Sequence, residues 1–248
     1  MTKAPATAIN RAKFQPLYGQ VKDLILKRIG SGEWQPGQMI PNEFRLASEF
    51  NVSQGTVRKA LIALESDKLI IRRQGRGTYV ARYTGQRMLF QFFHIVGRNS
   101  EPLTPVSKPL SQTLVKADGK QARTLDIKPG QNLHAIFRIR YFGDDPAILE
   151  RIYVPAALMP DLKLPLGKIM TEELYSIYQE RFFATIAKAK DNIRAVAATQ
   201  EDAKHLKVKV GDPLLEVLRV SIDVNGRTVE MRTSRCKTSA YSYAIDVI

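Results

Sequence analysis

The sequence predicts an α+β chain of two domains: an N-terminal winged helix-turn-helix domain over residues 14–82 and a second α+β domain over residues 88–248, joined by a linker at 83–87. Three observations lead to this prediction. The chain has 248 residues, more than one domain usually holds. Residues 41–80 have the pattern of two short helices and a hairpin. The second half contains an internal repeat, which predicts an antiparallel sheet built from two pseudo-repeats.

The N-terminal domain is predicted to contain three helices. The first covers residues 17–29 and has apolar residues at helical spacing: Leu17, Val21, Leu24, Ile25 and Ile29. Asn42 is a good N-cap for the second helix, and Ser53 is one for the third. The apolar stripe of the third helix consists of Val57, Ala60, Leu61 and Leu64. Because the last two helices are short and tightly joined, they must cross at a large angle.

Polar residues occupy the outward side of the third helix in its first turns: Gln54, Gly55, Arg58 and Lys59. Such a helix end can enter a DNA major groove, where Arg pairs with guanine or a phosphate and Gln pairs with adenine. The hydroxyls of Ser53 and Thr56 can donate to phosphate oxygens. Glycine early in a helix costs about 1 kcal/mol relative to alanine, and close approach to another surface is one reason to keep it. The basic residues by themselves have an alternative explanation, which is a helical hairpin whose basic face is simply solvated.

A basic hairpin follows the third helix. Residues 69–71 read as one strand, residues 74–77 as a turn and residues 78–80 as the returning strand. Arg72, Arg73 and Arg76 therefore gather at the hairpin tip. A basic tip beside a basic helix start is typical of nucleic-acid binding.

Charge and cysteine content limit the class of protein. The net charge is +14, and residues 1–85 carry 14 Lys and Arg against 6 Asp and Glu, which is +8 in one third of the chain. This distribution favours a polyanionic partner for the N-terminal domain. Cys236 is the only cysteine, so an intrachain disulfide is excluded, and the apolar run near 89–96 is too short to cross a bilayer. We expect a cytoplasmic protein.

The stretch from residue 16 to residue 78 resembles the GntR family of bacterial transcription regulators, whose wing has the turn Gln-Gly-Arg-Gly-Thr found here at 74–78. The resemblance implies DNA contacts by eight residues: Arg45, Ser53, Gln54, Gly55, Thr56, Arg58, Gly75 and Arg76. Two positions depart from the family pattern. Gln54 stands where the family usually has Arg, and Phe44 stands where a basic residue is common, with Arg45 as the nearest one.

The second domain is predicted to begin with a buried aromatic strand over residues 88–96 that carries His94. A single His on a strand is more often structural than a ligand contact, and both interpretations stay open. Three prolines between residues 97 and 109 predict an irregular loop.

The internal repeat relates residues 122–138 to residues 203–219, 81 positions later. Ala122, Leu125, Gly130 and Arg138 recur in it as Ala203, Leu206, Gly211 and Arg219. Each copy reads as a short helix, a glycine turn, a long strand, a second turn and a return strand. With a one-residue gap, Glu150 is predicted to correspond to Glu230.

Arg138 and Arg140 share one face of the first long strand, because strand side chains alternate. Two arginines can hold a carboxylate or phosphate, while Glu150 or Glu230 orients them or accepts from a hydroxyl or amino group. The alternative is a structural ion pair on a solvated sheet face. Between the copies, residues 171–183 read as a helix with Tyr175 off its apolar stripe, and residues 191–198 read as a further helix.

Residues 88–248 resemble the effector-binding (UTRA) domain of the HutC-like subfamily of GntR regulators, whose fold is related to chorismate lyase. The candidate effector contacts are then His94 and, by the resemblance, Arg138, Arg140, Glu150, Tyr175 and Glu230. Where the subfamily has a Tyr and an Asp-Arg pair, this chain has Cys236 and Ser239-Ala240.

The sequence therefore predicts a ligand-responsive DNA-binding transcription regulator: a homodimeric repressor that a small anionic metabolite releases from an inverted-repeat operator. One alternative is a small-molecule lyase-like enzyme carrying a nucleic-acid-binding domain. The sequence has no Ser/His/Asp set, His/Cys cluster or phosphate-binding glycine loop, so no catalytic residue, metal ligand or cofactor is predicted. A third interpretation, an RNA-binding protein, would need exposed aromatic platforms for base stacking.

Overall fold

The computed structural model describes residues 15–83 and 92–245. The first stretch forms three helices, which are α1 (Leu17–Gly30), α2 (Glu43–Glu49) and α3 (Gln54–Ser66). It also forms three short strands, which are β1 (Met39–Ile40), β2 (Ile70–Arg73) and β3 (Gly77–Val80). The strands lie in the order β1-β3-β2, with β2 and β3 as an antiparallel hairpin. This is the predicted winged helix-turn-helix.

Helix α1 covers α3 through a narrower stripe than the sequence predicts. Val21, Ile25 and Ile29 are buried, as expected. Leu17 and Leu24, which share the predicted apolar spacing, are instead 54% and 42% exposed. The reason is that α1 presents only its i, i+4 row to the core that it shares with α3.

The second stretch forms a six-stranded antiparallel sheet with the order β5-β6-β7-β10-β9-β8. Its strands are β5 (Val106–Lys116), β6 (Asn132–Phe142), β7 (Asp145–Pro155), β8 (Ile186–Ala197), β9 (Pro213–Asp223) and β10 (Thr228–Lys237). Three helices accompany it: α4 (Gly119–Leu125), α5 (Leu174–Phe182) and α6 (Gln200–Leu206). A separate ribbon pairs β4 (Ile95–Gly97) with β11 (Tyr241–Tyr243).

The predicted repeat appears as two halves of this sheet, β5-β6-β7 and β8-β9-β10, which meet where β7 pairs with β10. The repeat helices α4 and α6 both start with a capping box and both end at a residue with positive φ. Each of these helices packs on the return strand of the other half, α4 on β10 and α6 on β7. They cover one face of the sheet, and α5 and the β4-β11 ribbon cover the other.

The prediction of a helix over residues 191–198 is wrong, because residues 191–197 belong to strand β8. Asp191 and Ile193 lie opposite Arg219 and Val217 of β9, so successive side chains of β8 alternate between the sheet faces. Lys188, Lys190 and Arg194 are exposed on this edge strand, as is usual for sheet edges.

The start of the second domain also differs from its prediction. In the predicted strand over 88–96, residues 88–91 lie outside the described residues, residues 92–94 are not in a strand, and β4 begins only at Ile95. The predicted loop over 97–109 ends early, since β5 begins at Val106. Pro109 lies in β5 next to a register shift, a position that an edge strand tolerates.

The predicted helix over 171–183 is shorter at its start, because α5 begins at Leu174. Tyr83, expected at the start of the linker, is 4% exposed and packs in the core of the second domain with Tyr175 and Tyr178. Residue 14 and residues 84–87 lie outside the described residues.

Candidate functional site

The first turn of α3 presents the predicted DNA-contacting residues at the surface. Ser53 caps the helix, since its Oγ accepts from the Thr56 N–H at 3.1 Å and lies 2.9 Å from the Thr56 hydroxyl. Gln54, Gly55 and Arg58 are exposed. Because α3 buries its apolar stripe against α1 and α2, this polar end is left free for a partner.

The space around Gly55 does not require a glycine within the domain. A Cβ added there would meet only Ser53 Oγ, at 3.8 Å, which is an ordinary van der Waals distance. The glycine therefore leaves open space outside the helix rather than avoiding a clash within the domain.

A carboxylate fixes the direction of Arg58. Arg58 Nε donates to Glu43 Oε2 at 2.9 Å, and Arg72 Nη2 donates to Glu43 Oε1 at 3.2 Å. Glu43 thus connects the start of α2, the exposed side of α3 and the first wing strand. Arg45, also predicted to contact DNA, is exposed on α2.

The wing tip combines a tight turn with free charge. Gly75 has a φ of +69°, which favours glycine, and the Arg76 N–H donates to the Arg73 carbonyl at 2.9 Å. Arg76 is exposed, and among the described residues no carboxylate lies within ion-pair distance of it. Arg73 lies over the Tyr79 ring at 5.0 Å. The tip can therefore offer Arg76 to a phosphate.

Phe44 is a surface residue that the sequence analysis noted only as a departure. Its side chain is 70% exposed and shares a shallow hollow with Ser53 and Gln54. An apolar side chain at this place can contact a thymine methyl group.

A cavity of about 50 Å³ lies in the second domain between the inner face of the sheet, the start of α5 and residues 92–95. Four of the six predicted effector residues line it: His94, Arg140, Glu150 and Tyr175. Arg138 and Glu230 do not line it, but they bond to residues that do. Arg138 Nε donates to Glu150 at 2.5 Å, and Glu230 accepts from Arg232 at 2.8 Å.

Four arginines and four carboxylates surround this cavity, and all are at least half-buried. Besides the Arg138–Glu150 pair, Arg140 donates to Glu173. Arg219 donates twice to Asp191, at 2.7 and 2.6 Å. Arg232 bridges Glu230 and Glu150, the latter at 3.4 Å.

The arginines keep hydrogen-bonding capacity in spite of these pairs. Within the described part of the chain, four buried guanidinium nitrogens around the cavity have no hydrogen-bond partner: Arg138 Nη1, Arg138 Nη2, Arg140 Nε and Arg232 Nε. A buried donor without a partner costs about 1–3 kcal/mol, so such a group calls for an explanation.

The predicted correspondence of Glu150 with Glu230 is wrong. Glu150 lies opposite Arg138 in the first hairpin, whereas the residue opposite Arg219 in the second hairpin is Arg232. Glu230 lies opposite Ser221. The position equivalent to Glu150 is therefore held by Arg232, two residues beyond Glu230, since the second hairpin is one residue longer than the first. The sequence repeat does not reveal this extra residue, because the sequence match ends at the intervening turn.

Burial and charge set the protonation of the cavity. Burial alone would raise the pKa of Glu150, but the charges of Arg138, Arg232 and Arg140 lower it well below the ordinary carboxyl range. Burial and the nearby Arg219 lower the pKa of His94, so its imidazole is neutral at pH 7. Burial raises the pKa of the Cys236 thiol to about 12, so the thiol stays protonated. The cavity therefore contains fixed charges and no activated nucleophile of the cysteine type.

Several lining residues were missed by the sequence analysis, notably Phe92, Phe93, Glu173, Arg219 and Arg232. A signal existed for Arg219, since it is the repeat equivalent of Arg138. Glu173 lies two residues before the predicted Tyr175, but the sequence does not show that its side chain meets Arg140. In residues 15–83 and 92–245, no cluster of three or more His, Cys, Asp or Glu is arranged for a metal ion. No helix in these ranges has the length and apolarity to cross a membrane.

Two protein families match this sequence. Residues 17–80 match the bacterial regulatory proteins of the gntR family, and residues 100–242 match the UTRA domain. The first match spans the winged helix-turn-helix, and the second spans the six-stranded sheet.

Bacterial repressors are similar to most of the chain. The mannosyl-D-glycerate transport/metabolism system repressor of Escherichia coli K12 is 30% identical over 232 residues, which cover 93% of this chain and 95% of that protein. The histidine utilization repressor of Pseudomonas aeruginosa is 31% identical over 208 residues, which cover 82% of this chain and 80% of that protein.

Solved structures share the fold. PhnF from Mycobacterium smegmatis matches with a TM-score of 0.56 at 22% identity, covering 91% of this chain and 98% of that one. The C-terminal domain of YurK from Bacillus subtilis matches with a TM-score of 0.51 at 23% identity, covering 56% of this chain and 94% of that one. At these identities the likeness concerns the fold alone.

Proposed function

The chain belongs to the gntR family of bacterial regulatory proteins and carries a UTRA domain, and from that premise we propose that it is a repressor which a small anionic metabolite releases from an inverted-repeat operator. Its class is a ligand-responsive DNA-binding transcription regulator. The relatives are named as repressors, and none of these names supports the enzyme alternative. We also propose that the protein is located in the cytoplasm, where DNA and metabolites are both accessible.

The exposed start of α3 and the wing tip support the DNA half of the proposal. Gln54 and Arg58 are the base-reading candidates, because they lie on the exposed side of the helix that enters the groove. Ser53, Thr56 and Arg76 are candidates for the phosphate backbone. Glu43 holds the Arg58 guanidinium at 2.9 Å, which limits the directions in which Arg58 can read a base.

The unpartnered Nε atoms of Arg140 and Arg232, two residues that line the cavity, carry the effector half of the proposal. An anion offers several acceptor oxygens, and charge-assisted hydrogen bonds to Arg are short and strong. The start of α5 lines the same cavity, and a helix N-terminus favours negative charge. The negative charges of the four carboxylates balance the positive charges of the four arginines. A ligand with an anionic group and with hydroxyl or ammonium groups can therefore pair with both kinds of side chain.

Two of the relatives are named after compounds with this chemistry. Mannosyl-D-glycerate and histidine each contain a carboxylate, and they also carry hydroxyl or amino groups. We extend to this chain only the shared feature, a small polar molecule with an anionic group.

The size of the cavity indicates that ligand binding changes the arrangement of the second domain. Ligand pockets usually measure about 300–1,000 Å³, whereas this cavity measures about 50 Å³. A metabolite must therefore widen it. The arrangement described here is the one that a ligand disfavours, and a ligand shifts an equilibrium toward the arrangement that it binds better. Release from DNA follows if the present arrangement is the one that binds the operator.

The test uses the full-length protein and the DNA upstream of its own gene, with a panel of sugar phosphates, sugar acids and amino acids. We expect one member to release the DNA in fluorescence anisotropy and to stabilise the protein in thermal melts. A ligand at 100 times its dissociation constant stabilises by roughly 2.7 kcal/mol. The effector half of the proposal fails if only cations or uncharged apolar compounds release the DNA.

A matched pair of variants places the effector in the cavity. Val217→Phe fills the cavity without touching its charges, because Val217 lines it from β9. We expect operator affinity within about threefold of wild type but at least a tenfold higher ligand requirement for release, since overpacking costs about 1–3 kcal/mol. Val220→Phe, on the other face of β9, should respond like wild type. An unchanged response of Val217→Phe would remove the cavity from the proposal.

A further inference from the structure

Helix α5 touches both the cavity and the DNA-binding domain. At its start, Leu174 and Tyr175 line the cavity, and Glu173, the residue before it, pairs with Arg140. At its end, the ring of Phe183 lies 2.9 Å from the position that a Cβ on Gly32 would occupy. Gly32 is the second residue after α1. The nine-residue helix α5 therefore connects the cavity with the DNA-binding domain.

The middle of α5 holds the chain that leaves the wing. Gln179 is fully buried, and its Oε1 accepts from the Tyr83 N–H at 2.9 Å while its Nε2 donates to the Ala81 carbonyl at 3.1 Å. Ser176 Oγ donates to the Tyr83 carbonyl at 3.0 Å. These bonds fall one to three residues after Val80, where strand β3 ends.

The Gln179 amide acts here as a backbone peptide would in a neighbouring strand, since it pairs with one carbonyl and one N–H of the same extended segment. The segment is also bound to the wing domain, because the Ala81 N–H donates to the Leu69 carbonyl at 2.9 Å. Any movement of α5 along or about its axis therefore acts directly on the strand that carries the wing.

Aromatic contacts connect the same segment with the cavity. The Tyr83 ring meets the Phe92 ring edge-on at 6.1 Å, and Phe92 meets Tyr175 edge-on at 5.4 Å. Phe92 and Tyr175 both line the cavity. Since the cavity measures about 50 Å³, a metabolite cannot enter unless lining groups such as these rings or the Glu173 side chain move.

We propose that α5 is the element that couples ligand binding to DNA release, and that Gln179 is the positioning residue through which it acts on the wing. The proposal rests on the proposed function. An anionic ligand replaces Glu173 on Arg140, which frees the start of α5. The helix then shifts, and the Gln179 bonds to Ala81 and Tyr83 no longer hold the wing in the arrangement that fits the operator.

The experiment is a double-mutant cycle on operator affinity in the full-length protein, without any ligand. Glu173→Gln weakens the charge pair with Arg140, as the ligand would, and Gln179→Met removes both bonds to the wing segment at similar size. We expect each change to weaken operator binding about tenfold, and the double variant to lose about tenfold rather than a hundredfold, because both changes interrupt one connection.

Gln112→Met is the matched control for the second change. Gln112 makes the same type of pairing, since its Oε1 accepts from the Leu164 N–H at 3.0 Å and its Nε2 donates to the Leu162 carbonyl at 2.6 Å. That pairing lies wholly within the second domain, so Gln112→Met should leave operator affinity unchanged. Glu172→Gln, the exposed neighbour of Glu173, should also have no effect.

A second measurement covers the case in which Gln179→Met does not fold. Hydrogen exchange of the Tyr83 amide, which Gln179 protects, should be at least about tenfold faster in Glu173→Gln than in wild type, because local opening exposes the amide. Unchanged exchange, or additive losses in the cycle, would overturn the role of α5. If the wild type still releases DNA with its ligand, that result leaves the proposed function standing.

Discussion

At the scale of single residues, Gly55 is unfavourable for the stability of the domain but favourable for the proposed approach of DNA. It lies in the first turn of α3 with helical φ, and an added Cβ would stand in open space, 3.8 Å from Ser53 Oγ. Glycine in a helix is less stable than alanine by up to about 1 kcal/mol. The chain thus carries an unfavourable residue at the point where the DNA surface is proposed to come closest.

We therefore predict that Gly55→Ala makes the protein more stable and a weaker DNA binder. The thermal midpoint should rise slightly, by the equivalent of at most about 1 kcal/mol. Operator affinity should fall at least about tenfold, because the methyl group occupies space needed by the duplex. Thermal melts and anisotropy titrations of the same preparation measure both effects.

Gly119→Ala provides the control for this prediction. Gly119 opens helix α4 in the second domain, and its added Cβ would lie 3.5 Å from Arg123 Nη1, an ordinary contact. It should stabilise the protein without altering DNA affinity. Wild-type operator binding by Gly55→Ala would show that the duplex does not approach this backbone.

For the charged residues of the cavity, the sequence predicts the face of the strand on which they lie but not their ion-pair partners. Strand alternation placed Arg138 and Arg140 on one face, and the structure confirms it. Alternation does not say which carboxylate each arginine meets. Arg140 meets Glu173, which lies 33 positions away on the approach to α5, and this contact depends on how α5 packs over the sheet.

At the scale of elements, the strands in the middle of the sheet were predictable and its edges were not. Strands β6, β7, β9 and β10 belong to the sequence repeat, and each hairpin is joined by a turn that contains a glycine. Edge strand β5 contains Pro109, and its first four residues were taken for part of a loop. Edge strand β8 is largely exposed and lacks a continuous apolar face, so its alternation was mistaken for helical spacing. Edge strands are held by partners on one side only, and their sequences carry correspondingly weak signals.

The wing and the recognition helix should respond differently to the loss of an arginine. Arg76 has no carboxylate partner in the described part of the chain and is proposed to hold a phosphate. Arg76→Ala should weaken all sequences similarly and lower the slope of log affinity against log salt by about 0.9. Arg58→Ala should instead change the preferred base pair at one position, at a cost of about 1–3 kcal/mol.

Titrations at several salt concentrations, with the operator and with variants changed at single positions, measure both quantities. Arg123→Ala is the control for charge, since Arg123 is exposed on α4 in the second domain. It should leave both the slope and the base preference unchanged. A wild-type slope for Arg76→Ala would exclude Arg76 from the phosphate contacts.

At the scale of the whole molecule, the DNA-binding domain is not an independent body on a free tether. Val224 from the β9-β10 turn packs in the core of the N-terminal domain, and Asn225 Nδ2 donates to the Gly30 carbonyl at 3.4 Å. Together with the contacts of α5, these fix the direction in which α3 and the wing point from the second domain. A rearrangement in the second domain therefore changes that direction. The change alters DNA affinity only if the DNA-binding domain must point toward a target at a fixed place.

The matched target that we propose is a second half-site. One recognition helix reads only a few base pairs, and a two-fold dimer presents two such helices to half-sites about 34–36 Å apart or a multiple of that distance. A dimer with fixed domain directions should bind the inverted repeat more tightly than one half-site by about 10²- to 10⁴-fold, since the second contact becomes intramolecular.

Inserting about five base pairs between the half-sites turns them to opposite faces of the duplex, because one helical turn takes 10–10.5 base pairs. That insertion should reduce binding to the level of a single half-site. Gel shifts with the three duplexes, combined with the mass of the complex, measure affinity and the number of chains bound. Equal affinity for all three duplexes, or a single chain on the full operator, would contradict the dimer and remove the reason for a fixed domain direction.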